Sequence, residues 1–134
     1  MSADVETVEL VADSASITIA RRFVARTFAG RVPRDVIADL VLVTSELVTN
    51  AIEHGYGADG ERGPVHVAAQ VGSASATVSV RSPGDDRLAD PDDWEIPTPE
   101  VRTGRGLGIV RRVSDHVEVV RQDDQVEISA SRTW

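Results

Sequence analysis

The hydrophobic spacing of this chain changes along its length, and these changes limit the fold more than any other feature. Two stretches, one ending near Phe28 and one beginning at Pro33, carry apolar residues every three or four positions, which is the spacing of a helix with one buried face. Two later runs, at residues 65–71 and 76–81, alternate in polarity as half-buried strands do. Each element leaves an apolar face to be covered, so the pattern predicts helices packed against a sheet.

Capping and turn residues give the expected ends of these elements. Residues 13–16, Asp-Ser-Ala-Ser, supply N-cap side chains for the first helix, and Gly30 stops it. Because proline suits the first helical turn, Pro33 opens the second helix, which we expect to end at Gly55. The small residues at 72–75 separate the two alternating runs, which predicts an antiparallel hairpin.

Shorter elements complete the pattern. We expect an opening strand at residues 5–11 and a short third helix at residues 109–114. A last hairpin is expected around Asp123-Asp124, with strands at residues 117–120 and 126–130. The length of 134 residues suits one domain, residues 1–134. The predicted fold class is α+β: a two-layer sandwich with a mixed, mainly antiparallel sheet and helices on one face.

Composition excludes several classes of function. The net charge of −8 argues against direct binding of nucleic acid. Without cysteine the chain has no disulfide and no thiolate metal site. It has neither a signal-peptide pattern nor an apolar run approaching the roughly 20 residues that span a bilayer, so we expect a cytoplasmic protein without a membrane partner. All 14 basic residues are arginine, which excludes a P-loop lysine.

The first candidate functional group lies on the second predicted helix. Glu46 and Asn50 are four residues apart, so they share one face of a helix that is otherwise built for burial. A carboxylate and a carboxamide one turn apart offer hard oxygen ligands to Mg²⁺, directly or through water. The alternative is that the pair forms the solvated edge of an amphipathic helix.

The second candidate group is rich in glycine. Gly104, Gly106 and Gly108 alternate with Arg105 and Leu107 just before the third predicted helix. Glycine lets the backbone turn closely around a ligand, and the amides at the start of the next helix point toward it, which is typical of a phosphate cradle. A flexible turn is the alternative.

The third candidate group is Ser82-Pro83-Gly84, at the end of the predicted central strand. Strand ends are common places for ligand contacts, and a plain turn is the alternative. From Ser82 to Thr103 the chain is rich in Pro, Asp and Gly and has no period. A segment this long without secondary structure is typical of a functional loop or of a misassigned element.

Taken together and in this order, the three groups resemble a known family. Residues 46–56, Glu-Leu-Val-Thr-Asn-Ala-Ile-Glu-His-Gly-Tyr, closely resemble the N-box of the anti-sigma-factor serine kinases, and residues 104–108 resemble the glycine-rich G2 box of that family. Its members belong to the superfamily of histidine kinase, DNA gyrase and mismatch-repair ATPase domains, which share the Bergerat ATP-binding fold. The resemblance covers nearly the whole chain and implies an ATP lid at roughly residues 83–103.

The resemblance implies a role for each matching residue. Asn50 is expected to coordinate the Mg²⁺ that bridges the phosphates of ATP. Glu46 is expected to act as the base that orients or deprotonates the attacking hydroxyl. The phosphates are expected to be bound by the glycine-rich box: Gly104, Arg105, Gly106, Leu107 and Gly108.

The resemblance also implies partners. A chain of this kind sequesters a sigma factor and phosphorylates a serine or threonine of a separate anti-sigma-factor antagonist, and family members form homodimers. The alternative is a module with the same fold that sequesters a sigma factor or antagonist but has weak or no kinase activity. A fragment of a sensor histidine kinase is a third and less favoured interpretation.

One position departs from the family pattern. The family has an aspartate at the strand end, in an Asp-x-Gly box, where its carboxylate accepts a hydrogen bond from the adenine amino group; here Ser82 replaces it and Gly84 is retained. A serine hydroxyl accepts the same hydrogen bond but carries no charge. Loss of the charge-assisted bond is expected to weaken nucleotide binding by ~1–3 kcal/mol, which is about 5- to 150-fold in affinity. Asp85 or Asp86 takes this role if the register shifts.

Overall fold

A computed structural model describes residues 4–54, 63–84 and 106–134 of the chain. Within these ranges it has three helices packed against one five-stranded sheet, as the predicted α+β class requires. The elements in chain order are β1 (Asp4–Leu10), α1 (Ala15–Phe28), α2 (Arg34–His54), β2 (Val65–Val71), β3 (Ser75–Pro83), α3 (Gly106–Val113), β4 (His116–Gln122) and β5 (Gln125–Thr133).

The sheet has the strand order β1-β2-β3-β5-β4. All four neighbouring pairs among the described strands are antiparallel, in line with the predicted, mainly antiparallel sheet. Two of these pairs, β2 with β3 and β4 with β5, are hairpins, and strands joined by a tight turn run in opposite directions. The pairing of β3 with β5 then joins the two hairpins into one sheet.

The hydrophobic core lies between the sheet and the helices. Alternate residues of the three central strands are buried, among them Val67, Val78 and Ile128. Phe28 of α1 and Leu47 of α2 are among the largest side chains that are fully buried in this core. In the described part of the chain, no helix is long and apolar enough to cross a membrane.

The first two helices end close to the predicted residues. α1 ends at Phe28, and Gly30 follows with a φ of 76°, a left-handed conformation that glycine adopts without strain. At the start of α1 the side chain of Asp13 accepts a hydrogen bond from the backbone amide of Ala15 at 2.9 Å. α2 begins directly after Pro33, as expected.

Two elements near the candidate site differ from the predicted ones. α3 begins at Gly106 and not at residue 109, so the glycine-rich box overlaps the helix. Glycine is a poor helix former, and this is why the sequence pattern placed the box in a loop; packing against α2 outweighs that preference. β3 extends to Pro83, so Ser82 lies within the strand.

Candidate functional site

Glu46 and Asn50 lie one turn apart on α2, and both residues are half-buried. Their neighbours Leu47, Val48 and Ala51 belong to the hydrophobic core. The two polar side chains therefore lie at the margin of the core, on one face of the helix, as their spacing requires. In this position they are accessible to a ligand while the helix that carries them is held rigidly by the core.

The first residue of α3, Gly106, lies directly against Glu46. A Cβ atom on Gly106 would overlap Oε2 of Glu46 and would lie 3.4 Å from its Cδ and 3.6 Å from its Cβ. Only a residue without a side chain fits here while Glu46 keeps its conformation. This contact places Gly106 of the glycine-rich box next to the Glu46/Asn50 pair, although the two candidate groups are far apart in the sequence.

The carboxyl group of Glu46 has a shifted pKa. Burial raises the pKa above its ordinary value, and the negative charge of Glu53 raises it further. A carboxylate whose pKa is closer to neutral is a better proton acceptor, which is the property that general base catalysis requires.

The amino end of α3 borders the same space as Glu46. Gly106, Leu107 and Gly108 form the start of this eight-residue helix, whose first turn carries no acidic side chain. The first backbone amides of a helix have no partner within the helix and give this end a partial positive charge. Gly104 and Arg105, the other two residues of the box, lie outside the described residues, as does the predicted lid from residue 85 onward.

Ser82 and Gly84 lie at the end of β3, where the backbone is closely packed. Ser82 is only 7% exposed and pairs across the sheet with Val126. A Cβ on Gly84 would approach Cγ2 of Val126 to 2.9 Å, and a Cβ on Gly63 would overlap the ring of Pro83. Both glycines therefore permit close contacts that fix this strand end, which carries Ser82.

Sequence reasoning missed Glu53 and Gly63. Glu53 lies seven residues after Glu46 and three after Asn50, so helical spacing places all three residues on one side of α2, and this signal was present in the sequence. The contact between Gly63 and Pro83 had no such signal, because it depends on the pairing of β2 with β3.

The described residues fit a magnesium nucleotide in their chemistry. Asn50 and Glu46 supply hard oxygen atoms, the ligands that Mg²⁺ prefers, and the amino end of α3 suits a phosphate group. The described residues include no cluster of three His, Cys, Asp or Glu side chains that holds a metal by itself. A Mg²⁺ ion here therefore needs phosphate oxygens and water to complete its coordination, as this ion commonly does.

Comparisons with known proteins agree with this fold. Residues 10–132 match the model of the histidine kinase-like ATPase domain family. The fold is similar to that of the RsbU and RsbW domains of Rv1364c from Mycobacterium tuberculosis, with a TM-score of 0.69 and 20% identity over 97% of this chain and 32% of that one. It is also similar to the catalytic domain of the histidine kinase ThkA, with a TM-score of 0.53 and 18% identity over 96% of this chain and 97% of that one.

These likenesses have limits in length and in sequence. The chain spans about a third of the Rv1364c structure that it matches. At 20% and 18% identity the two solved structures support the fold alone. No curated protein is a significant match to the sequence.

Proposed function

The chain belongs to the histidine kinase-like ATPase domain family, and on this premise we propose that it binds ATP with Mg²⁺ and acts as an anti-sigma factor. We further propose that it is a serine/threonine kinase whose substrate is an anti-sigma-factor antagonist. The observation that carries the proposal is the contact between Gly106 and Glu46. It brings Glu46 of the segment that resembles an N-box next to Gly106 of the segment that resembles a G2 box.

In this proposal each group has a distinct task. Asn50 holds Mg²⁺, which neutralises charge on the phosphates, and the amides at the start of α3 bind phosphate oxygens together with the rest of the glycine-rich box. Glu46 accepts the proton of the attacking serine or threonine hydroxyl. Its raised pKa supports this role, because the base must hold a proton in the transition state. Phosphoryl transfer depends mainly on positioning and charge neutralisation, and these groups supply both.

Ser82 is the proposed contact for the nucleotide base. Its hydroxyl is buried at the end of β3, on the sheet face that packs against the helices. A hydroxyl both donates and accepts hydrogen bonds, so it discriminates less than a carboxylate between an amino group and an oxygen on a purine. We therefore expect weaker binding of ATP than in relatives with aspartate, and weaker selection against GTP.

The proposed partners follow from family likeness. One similar structure contains an RsbW domain together with an RsbU domain, which supports the proposal that this fold acts with other regulatory proteins of a sigma-factor pathway. We propose a sigma factor and an antagonist as partners, a homodimer as the working form and the cytoplasm as the location. The net charge of −8 argues against a direct nucleic-acid partner.

A second candidate function is a binding module without kinase activity. The observation that favours it is Ser82, which provides no charge where the family places a carboxylate. In this case the fold presents a surface that sequesters a sigma factor or its antagonist, and the nucleotide site is weak.

Calorimetric titration with ATP, ADP and GTP, each with Mg²⁺, tests the nucleotide site. If none of them binds, the proposed ATP-binding function is wrong and the binding module replaces it. If ATP binds, labelled ATP and a candidate antagonist then test for transfer of label to a serine or threonine.

The variant Glu46→Gln separates catalysis from binding. It keeps the size and hydrogen bonding of the side chain but removes its basicity, so it should still bind ATP while transfer falls by about 10²–10⁴-fold. Glu118→Gln is the matched control, since Glu118 is exposed on β4. Equal transfer by the Glu46 variant and this control would contradict the role of Glu46 as base.

A further inference from the structure

Arg132, near the end of β5, connects α2 to the turn that follows α3. Its Nε donates a hydrogen bond to Oδ2 of Asp39 on α2 at 3.1 Å, and its Nη1 donates one to Oδ2 of Asp115 at 3.2 Å. Nη2 lies 3.9 Å from a carboxylate oxygen of Asp35 in the first turn of α2. The arginine side chain is 22% exposed, less than any of the three carboxylates, so the network is partly shielded from water.

Asp115 is itself fixed to β5. Its backbone amide donates a hydrogen bond to the carbonyl oxygen of Ser131 at 2.8 Å, and its Oδ2 accepts one from the amide of Thr133 at 2.7 Å. The amide of Thr133, followed by Arg132, lowers the pKa of Asp115 below its ordinary value, so the carboxylate is charged at neutral pH. Because Asp115 lies two residues beyond the end of α3, it anchors this end of the helix.

These contacts define how α3 lies along α2. The first residue of α3, Gly106, contacts Glu46, while its far end is tied through Arg132 to Asp39, which lies two turns earlier on α2. Seven residues of α2 span about 10.5 Å and the eight residues of α3 about 12 Å, so the lengths match. α3 therefore runs antiparallel to α2, with one end at Glu46 and the other at Asp39.

The two ends differ in how firmly they hold this register. Gly106 has no side chain with which to bond to Glu46, whereas the Arg132 end has charge-assisted hydrogen bonds in a defined geometry. We propose that Arg132 is a positioning residue for the nucleotide site, because it sets the register of α3 along α2 and thereby the place of Gly106 beside Glu46. The expected effect on nucleotide rests on the proposed function.

Arg132→Met retains an extended apolar side chain but removes the charge and the hydrogen-bond donors. α3 can then take other positions along α2. The apparent affinity for ATP falls in proportion to the fraction of molecules in which Gly106 still lies beside Glu46. Of the two bonds that this change removes, the one to Asp39 holds the network to α2, and loss of one such charge-assisted bond corresponds to about a tenfold reduction in that fraction. We expect about tenfold weaker binding of Mg²⁺-ATP but less than twofold weaker binding of adenosine, because the proposed base contact lies on β3 and not on α3.

The control is Arg31→Met, which breaks the ion pair between Arg31 and Asp4 of β1, at the edge of the sheet opposite to β4. It removes an arginine from another ion pair, so it separates a general loss of stability from a specific effect on the site. Arg132→Lys keeps the charge but not the two-pronged geometry, and its ATP affinity should be intermediate. If Arg132 had a purely structural role, Arg132→Met would weaken the binding of adenosine and of ATP equally, and Arg132→Lys would bind ATP no better than Arg132→Met.

A second measurement tests the register without any nucleotide. The native chain has no cysteine, so Ala38→Cys on α2 and Arg112→Cys on α3, both at exposed positions, accept spin labels at only these two sites. Pulsed electron spin resonance should give a narrow distribution of the distance between the two labels when the labelled chain retains Arg132, with or without the control change Arg31→Met. The distribution should be broadened or shifted when the labelled chain carries Arg132→Met. Asp39→Asn, a milder change, should broaden it in the same direction.

The outcomes separate the two proposals. If the native chain binds no nucleotide, the proposed function fails, while the spin-label distances still decide whether Arg132 sets the register. If Arg132→Met leaves the distance distribution unchanged, the positioning role is overturned. If the register shifts but ATP and adenosine weaken equally, Arg132 is a structural residue and the inference about the site is wrong.

Discussion

Gly106→Ala is the substitution whose effect the site geometry constrains most closely. Replacing glycine by alanine at a helical position stabilises a protein by about 0.4–1 kcal/mol, chiefly because the unfolded chain loses freedom. The new Cβ, however, meets Oε2 of Glu46. Since this atom is the far end of a flexible side chain, Glu46 moves aside, at a cost of about 0.5–1.5 kcal/mol if it leaves its rotamer. We therefore expect the free energy of unfolding to change by less than about 1 kcal/mol.

The effect on function should be much larger than the effect on stability. The methyl group occupies the space at the start of α3 where the proposal places phosphate, and the displaced Glu46 no longer has its original position. A misplacement of about 1 Å in a catalytic group can reduce the rate by about 10²-fold. We expect ATP affinity to fall by about tenfold or more, and transfer to an antagonist to fall further, while the chain remains folded.

A double-mutant cycle measures the contact itself. In a Glu46→Ala background the new Cβ of Gly106→Ala meets no carboxylate, so the same change should stabilise the chain by about 0.4–1 kcal/mol. The difference between the two backgrounds, about 0.5–1.5 kcal/mol, is the coupling energy and is measurable by urea unfolding. Equal effects in both backgrounds would refute the contact. A loss above about 2 kcal/mol in both would mean that the methyl group collides with backbone instead.

Four further predictions concern single residues. Asn50→Ala should abolish Mg²⁺-dependent ATP binding in calorimetry without unfolding the chain, and an unfolded variant would support a structural role only. Ser82→Asp should tighten ATP binding by about 5- to 150-fold, but it should lower the midpoint of thermal unfolding because it buries a carboxylate. Unchanged ATP affinity would mean that Ser82 does not contact the nucleotide base. Glu46→Gln should be more stable than the native chain at pH 7, and this difference should vanish below about pH 4.5. The reason is that the folded chain raises the pKa of Glu46, so ionising this carboxyl group costs stability as the pH rises above its ordinary pKa; unfolding at several pH values checks the sign. Asp124→Gly should stabilise the chain by roughly 0.5–1 kcal/mol, because Asp124 has a left-handed φ of 63°, and a loss in thermal stability would mean that its side chain contributes more than its backbone costs.

The sequence by itself determined the local elements. The strand Val65–Val71 has the predicted bounds, α1 ends at Phe28 as expected, and Asp123 and Asp124 form the turn of the last hairpin with positive φ values. These features depend on residues that are near one another in the chain: the hydrophobic period, a stop residue and turn-forming side chains. The shared helix face of Glu46 and Asn50 is predictable for the same reason.

Only the tertiary structure decided where the candidate site is assembled. The sequence placed Gly106 in a loop, but α3 begins there because it packs on α2, and no local pattern shows that Glu46 fills the space where a side chain would be. The bond from Arg132 to Asp39 joins positions 93 residues apart. Such contacts follow from the strand order that brings β5 beside β3 and returns α3 along α2, and this order is set by burial of the whole core and not by any one segment.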